Sequence, residues 1–311
     1  MADAPLLIVN PASGGGRTGR TFAACLETIE AALGPVEIAK SARAGHAIDL
    51  AREGARAGHR RIVAVGGDGT FHEVVNGVLD SGRDDVRVGL IAQGTGGDFR
   101  RTLGLEHRLD HYLANLVRDR IRRIDVGRVF YRTEAGEGRR WFVNVLSAGM
   151  GGLVDRYVAR SSRLLGGSAA YFGASAKALL ACREGRLRAR VELAGASEDR
   201  KLRSFMIAIC NGRYFGGGMR VAPHAELDDG RFDVVSLGAS SKLALAWHAS
   251  RIYDGGHLRA PGVESFACDR LELDLENDDA RGLFLNDVDG EQLGGLPIRV
   301  ELHRGALAVV A

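Results

Sequence analysis

The hexamer Val65-Gly66-Gly67-Asp68-Gly69-Thr70 lies between an apolar run, Arg61–Val65, and an amphipathic one, Phe71–Leu79. The order is strand, glycine turn, helix. Glycines let the backbone come close to a ligand, and a helix start offers unbonded N–H groups. Both suit a phosphate. A carboxylate repels a bare phosphate, so Asp68 makes sense beside a nucleotide whose charge is offset by a metal or a basic group. Taken alone, the segment reads as a tight turn with a solvated aspartate. Two more strand-to-loop junctions share its chemistry: Asn10-Pro11-Ala12-Ser13-Gly14-Gly15-Gly16 after Leu6–Val9, and Gln93-Gly94-Thr95-Gly96-Gly97-Asp98-Phe99 after Val86–Ala92. In an open parallel sheet such junctions gather at the carboxyl ends of the strands, where ligands bind. Three together point to a nucleotide site.

Other motif matches are weaker. Gly14-Gly15-Gly16-Arg17-Thr18-Gly19 satisfies GxGxxG, but the glycines start four residues after the strand, and no acidic residue clearly ends the second strand to hold a ribose. The same stretch nearly fits a P-loop, with Arg20 where the phosphate-reaching lysine belongs. His72-Glu73-Val74-Val75-Asn76 lacks the second histidine of a zinc-protease helix.

The elements that must position these loops alternate. Strand Leu6–Val9, helix Thr18–Leu33, strand Val36–Ala39, helix His46–Ala57, strand Arg61–Val65, helix Phe71–Leu79, strand Val86–Ala92 and a helix near Leu109–Val117 make a doubly wound α/β pattern over a mostly parallel sheet. After Asp125 the style changes. Val126–Tyr131, Trp141–Leu146, Leu187–Leu193, Phe205–Ile209, Phe232–Leu237, Arg270–Leu275 and Ile298–Leu302 read as strands. Helices near Ala169–Ala181 and Lys242–Tyr253 interrupt them, and Gly136-Glu137-Gly138 reads as a turn. The expected domains are 1–125, α/β, and 126–302, β-rich and antiparallel.

Composition bounds the rest. Hydrophobic content of 45% and charged content of 26% are those of a globular protein, and 43 glycines among 311 residues are about twice the usual share. They cluster at strand ends and so report turns and ligand loops. A net charge of +3 argues against a nucleic-acid partner. Basic clusters at Arg100-Arg101 and Arg118–Arg123 read as solvated helix surface, or as contacts to an anionic membrane. Cys25, Cys182, Cys210 and Cys268 have no metal-ligand spacing, which suits reduced cytosolic thiols. No signal peptide is evident and no apolar run is long enough to span a bilayer, so a cytoplasmic protein with peripheral membrane contact is expected.

Asn10-Pro11-x-Ser13-Gly14, Gly66–Thr70 and Gly94-Thr95-Gly96-x-Asp98-Phe99 resemble the catalytic domain of diacylglycerol kinases. The resemblance runs on through Asn211–Met219, Ala222-Pro223, Leu227–Val234 and Asp289-Gly290-Glu291, in order and over almost the whole chain. It is nearest to the soluble bacterial lipid kinases, and the GGDGT element is shared with NAD kinases and sphingosine kinases. The resemblance implies a phosphofructokinase-like nucleotide-binding domain followed by a β-rich one, an active site in the cleft, and last strands, about 303–311, that return to the first domain. Asn10, Ser13, Gly14, Ser41, Gly66, Gly67, Thr70, Gly94 and Thr95 would line the ATP site. Asp68 and Asp98 would hold the metal–water network around the phosphates. Asp229, with carbonyls such as those of Glu226 and Arg231, would ligate a structural Mg²⁺. Asp289 would be the general base, supported by Glu291.

The chemistry agrees, because phosphoryl transfer needs positioning, charge neutralisation and a base near the attacking hydroxyl. Asp278, Asp279, Asp287 and Glu291 place negative charge around Asp289, which would make it a better proton acceptor. Without the resemblance, a solvated acidic turn is the simpler reading. The departures are Gly97 where the family commonly has Asn, Arg100 where a small residue is usual, and His72 where Asn is frequent. The expected function is an ATP-dependent kinase of diacylglycerol or a related glycerolipid, acting on a membrane lipid and compatible with a homodimer. A kinase of a sphingoid base or NAD, and a nucleotide-binding regulator without turnover, are the alternatives. The glycine-rich segment from Asn211 and the late Asp-Gly-Glu argue against NAD.

Overall fold

The computed structural model describes residues 4–94, 96–133, 136–160 and 167–311. The chain forms two units. Unit 1 comprises Met1–Val126, Gly216–Gly218 and His303–Ala311, and unit 2 comprises Gly127–Phe215 and Met219–Leu302.

Unit 1 alternates β1 (Leu6–Val9), α1 (Arg17–Leu33), β2 (Glu37–Lys40), α2 (His46–Arg56), β3 (Arg61–Gly66), α3 (Asp68–Asp80) and β4 (Arg87–Ala92). It continues through α4 (Asp98–Thr102), α5 (Leu109–Arg118) and the start of β5 (Ile121–Thr133). The strands β2, β1, β3 and β4 pair in parallel in that order. Residues Ala308 and Val309 add a fifth parallel strand against Arg87 and Val88. Strands buried on both faces need continuous apolar runs, and Leu7, Ile8, Ile62, Val63, Val88 and Ile91 supply them. Helices α2 and α3 pack together, as do α1 and α5. The Phe71 and Phe99 rings stack at 4.8 Å and lock α4 onto α3.

Unit 2 begins with the rest of β5 and adds β6 (Gly136–Phe142), β7 (Val145–Gly149), α6 (Met150–Arg160), α7 (Gly167–Ala181), β8 (Gly185–Leu193), β9 (Ala196–Ser204) and β10 (Met206–Cys210). Then come β11 (Phe232–Leu237), α8 (Lys242–Ser250), β12 (Val263–Cys268), β13 (Arg270–Leu275), β14 (Leu285–Val288), β15 (Glu291–Gly295) and β16 (Ile298–Val310), whose C-terminal half lies in unit 1. One antiparallel sheet runs β12-β11-β10-β7-β14-β15. In the other, β13 pairs with β16 and β8, and β8 with β9. Along β8 the buried Leu187, Ala189 and Val191 alternate with exposed arginines. These side chains meet Ile207, Ile209, Phe232 and Val288 of the other sheet in one core, which makes a sandwich.

Several expectations are corrected. Helix α3 starts at Asp68, inside the GGDGT element, β3 runs to Gly66, and the connection is Gly67 alone, the extended N-cap. Gly136-Glu137-Gly138 is no turn: it opens β6, paired with Thr133, Arg132 and Tyr131. The Arg118–Arg123 cluster is no helix face. Helix α5 ends at Arg118, Asp119 takes a left-handed conformation, and β5 follows. Asp119 pairs with Arg61 and Arg87, and Arg123 donates to the carbonyls of Asp84 and Gly305. Arg100 and Arg101 likewise donate to the Leu105 and Gly96 carbonyls. Arg100, Arg101 and Arg123 thus hold loops together, whereas Arg118 and Arg120 are exposed.

Candidate nucleotide and phosphoryl-transfer site

In unit 1 the loops after β1, β3 and β4 converge at the carboxyl ends of adjacent strands. Asn10 sits at the end of β1, its Nδ2 donating to Thr70 Oγ1 at 3.0 Å and its Oδ1 accepting from the Ala12 amide. Ser13 closes a turn through its amide to the Asn10 carbonyl. Gly14, Gly15 and Gly16 all have positive φ, a run that only glycine adopts without strain, and Gly16 caps α1 with no side-chain acceptor. At the third and fourth strands the glycines serve contact rather than φ. A Cβ on Gly94 would lie 2.6 Å from the Gly67 Cα, and one on Gly66 would lie 2.3 Å from Thr70 Oγ1. The two loops thus touch backbone to backbone.

Asp68 binds them together. Its Oδ2 accepts from the amides of Gly97 (2.7 Å) and Asp98 (3.1 Å), and its Oδ1 from that of Phe99 (3.4 Å), so it caps α4 from the first turn of α3. Asp98 is buried. It accepts from Arg101 Nη1 at 2.8 Å and from the Gly217 amide at 2.8 Å. Burial pushes the Asp98 carboxyl up; the Gly217 amide opposes this and the Asp68 charge adds to it. Ser41 follows β2, its amide bonded to the Val9 carbonyl, one strand over from Asn10. Asn10, Ser13, Gly14, Ser41, Gly66, Gly67, Asp68, Thr70, Gly94 and Asp98 therefore all lie at one end of one sheet. Thr95 lies outside the described residues.

In unit 2, Asp289 occupies the turn between β14 and β15 with φ 51°. Its Oδ2 accepts from the Val143 amide (2.9 Å), and its Oδ1 from those of Asn144 (3.1 Å) and Val145 (2.9 Å). Its own amide donates to the Val145 carbonyl at 3.0 Å. The same segment is stitched to the Asn211 region: the Asn144 carbonyl accepts from the Asn211 and Gly212 amides, Asn144 Nδ2 donates to the Tyr214 carbonyl, and Asn211 Nδ2 donates to that of Val143. Of the acids expected around Asp289, Asp287 stays in its turn, accepting the Gly290 amide at 2.7 Å, and the other three pair with arginines. Asp278 pairs with Arg281, Asp279 with Arg183, and Glu291 with Arg140 at 3.0 Å.

Asp229 has the oxygen chemistry that a hard cation takes, one carboxylate in a loop that also carries the Glu226 and Arg231 carbonyls. In this structure its Oδ2 pairs with Arg231 Nε at 2.8 Å, an ion pair that a cation would replace. Among the described residues no three His, Cys, Asp or Glu side chains gather as a ligand set.

Sequence reasoning missed several positioning residues. Glu73 accepts from the Gly45 and Ala47 amides and so caps α2. Arg17 reaches the Gln93 carbonyl at 2.9 Å. Arg101 was readable in part, since it stands three residues after Asp98 on a helix. The Asp98–Gly217 bond, 119 positions apart, had no local signal.

A parallel nucleotide-binding unit with three phosphate-friendly loops, followed by an antiparallel sandwich, is the architecture of the NAD kinase-like lipid kinases. The family description "Diacylglycerol kinase catalytic domain" matches residues 4–129, and "YegS C-terminal NAD kinase beta sandwich-like domain" matches residues 144–311. A "Probable lipid kinase YegS-like" of Chromohalobacter salexigens is 32% identical over 278 residues, 86% of this chain and 81% of that protein. A "Diacylglycerol kinase" of Bacillus subtilis is 27% identical over 94% of this chain and 90% of its own. A diacylglycerol kinase crystal structure from Bacillus anthracis superposes with a TM-score of 0.71 at 19% identity, covering 99% of this chain and 96% of that one. That likeness shows the fold. The chain belongs to the diacylglycerol kinase-type, YegS-like lipid kinase family. Such a kinase uses an ATP-type nucleotide. Among the described residues no helix is long and apolar enough to cross a membrane.

Proposed function

We propose that the protein is an ATP-dependent kinase that phosphorylates the free hydroxyl of diacylglycerol or a closely related glycerolipid. The observation that carries this reading is the Asp68 bridge, which ties the loops after β3 and β4 into one glycine-lined floor beside the Asn10–Gly16 loop. Backbone amides of Gly14 and Gly67 would meet the phosphates, with Asn10, the Ser13 hydroxyl, Thr70 and Ser41 as polar partners. Asp68 and Asp98 fix the loops and would orient the water shell of the nucleotide's metal. Mg²⁺, when bound, would neutralise phosphate charge, and a second ion at Asp229, with the Glu226 and Arg231 carbonyls, would brace its loop. Asp289 would take the proton from the lipid hydroxyl as its oxygen attacks the γ-phosphorus and ADP departs. Three amide donors hold that carboxylate in one orientation, which favours preorganisation. Glu291 would steady it indirectly, through Arg140 on β6.

The substrate resides in a bilayer, so the enzyme would work at the cytoplasmic membrane surface as a peripheral protein. A homodimer is consistent with this. The test is a panel of diacylglycerol, monoacylglycerol, sphingoid base and NAD incubated with γ-labelled ATP and Mg²⁺. Label is expected in the glycerolipid product. Label only in the sphingoid base or NAD would reassign the substrate, and ATP binding with no transfer to any of the four would favour a regulator.

A further inference from the structure

Six large apolar side chains are exposed among the described residues, and four of them lie on one stretch of unit 2: Leu180, Leu243, Trp247 and Tyr253. Helices α7 and α8 bury a common seam, with Ala174, Ala178 and Leu245 in one cluster beside Leu153 and Phe205. On α8, Leu245 and His248 point inward. Leu243 and Trp247, one turn apart, face outward and are 85% and 49% exposed. Lys242 Nζ donates to the Leu180 carbonyl, so the end of α7 adjoins the start of α8, and Leu180 is 75% exposed there. The Arg251 guanidinium lies 4.8 Å over the Trp247 ring.

The charge carried by the two helices has one sign, and the carboxylate nearest these side chains in sequence, Asp254, lies past the end of α8 beside Tyr253. Neither α7 nor α8 contains an acidic residue. The chain has only four lysines, and two of them, Lys177 on α7 and Lys242 at the start of α8, are exposed, while Arg251 caps the other end of α8. An apolar patch with an aromatic ring and a basic rim suits the boundary between water and an anionic bilayer. There tryptophan sits at headgroup depth while basic side chains reach the phosphates. A second copy of the chain fits less well, since a two-fold contact would set the acid-free faces of α7 and α8 against themselves.

We propose that the outer faces of α7 and α8 dock the protein on an anionic phospholipid bilayer, with Leu180, Leu243 and Trp247 entering the headgroup boundary and Lys177, Lys242 and Arg251 meeting lipid phosphates. The inference rests on the lipid-kinase reading, which supplies the reason to approach a bilayer. It relocates membrane contact from the Arg118–Arg123 cluster.

The chain carries its own reporter, because Trp141 and Trp247 are its only tryptophans. In a Trp141→Phe background, Trp247 emission should shift to shorter wavelength with phosphatidylglycerol–phosphatidylcholine vesicles and be quenched by brominated lipid. Phosphatidylcholine alone should give a far smaller shift. Lys177→Gln with Lys242→Gln should lower the vesicle partition coefficient roughly 30-fold. Leu243→Ser with Trp247→Ser should abolish co-sedimentation while leaving the thermal midpoint and the activity on detergent-dispersed short-chain diacylglycerol unchanged. Binding is read without nucleotide, so vesicle binding by a protein that phosphorylates no lipid would sink the kinase reading and leave the docking surface standing. An unshifted Trp247 emission with anionic vesicles would overturn the proposal. So would a dimer that dissociates on the Leu243 and Trp247 changes, since a second copy would then cover the face.

Discussion

Asp289→Asn is the substitution whose cost the geometry specifies best. The carboxylate accepts three amides, two on Oδ1 and one on Oδ2. An asparagine can keep its single carbonyl oxygen on the Asn144 and Val145 amides. Its NH₂ group then faces the Val143 amide, donor against donor. One charge-assisted hydrogen bond is lost and two become neutral, a destabilisation of about 2–4 kcal/mol. For a unit of this size that corresponds to a fall in thermal midpoint of roughly 5–15 °C. Loss of the proton acceptor should separately lower kcat by about 10²–10⁴-fold. ATP affinity should hold, because the nucleotide loops belong to unit 1. The assay is calorimetry, nucleotide titration and lipid phosphorylation on one preparation, at a temperature where the variant is folded. Wild-type turnover would refute the base assignment. A wild-type midpoint would refute the account of how the carboxylate is held.

Gly94→Ala places a methyl group 2.6 Å from the Gly67 Cα, so the two glycine loops must part; stability should fall by about 1–3 kcal/mol and ATP affinity by at least tenfold, read by calorimetry and titration. Asp229→Ala should lower the thermal midpoint measured in Mg²⁺, with excess Mg²⁺ restoring part of it; an unchanged midpoint, equally sensitive to chelator, would show that this aspartate holds no structural metal. His248 and His257 are buried, and burial pushes both imidazoles down, offset in part by bonds to the Gly238 and Val221 backbones respectively. A depressed folded-state value means the stability is present above the ordinary histidine value of about 6.5 and is lost as the pH falls below it. The thermal midpoint should therefore drop on acidification through that range, with a shallower slope in His257→Gln. A midpoint flat across that range would contradict the burial argument.

The α/β half was legible because glycine punctuation and apolar runs coincide there: β1, β3 and β4 each end in the loop that marks them. The sandwich half was harder. Strand β9 is Ala-Ser-Glu-Asp-Arg-Lys-Leu-Arg-Ser, a charged run in which only Leu202 and Ser204 are buried, so periodicity resembles a solvated loop. Strands β14 and β15 are short and flank Asp289-Gly290, and the stretch looked like an acidic turn. Residue roles came from the family resemblance, not from spacing. What neither could provide was the partner list. The amides on Asp289 come from residues up to 146 positions away, and the charges beside it in sequence turn to arginines elsewhere. The loop glycines were read as letting the backbone come close to a ligand, whereas Gly66 and Gly94 are required because backbone and side-chain atoms of the protein itself already occupy the space a Cβ would take.

The central claim is tested most directly by following the γ-phosphate. Purified protein, Mg²⁺, γ-labelled ATP and dioleoylglycerol dispersed in detergent should yield labelled phosphatidate at a rate that saturates with both substrates and collapses in Asp289→Asn. Protein that binds ATP but leaves dioleoylglycerol unlabelled, or that labels it equally well without the Asp289 carboxylate, would contradict the account.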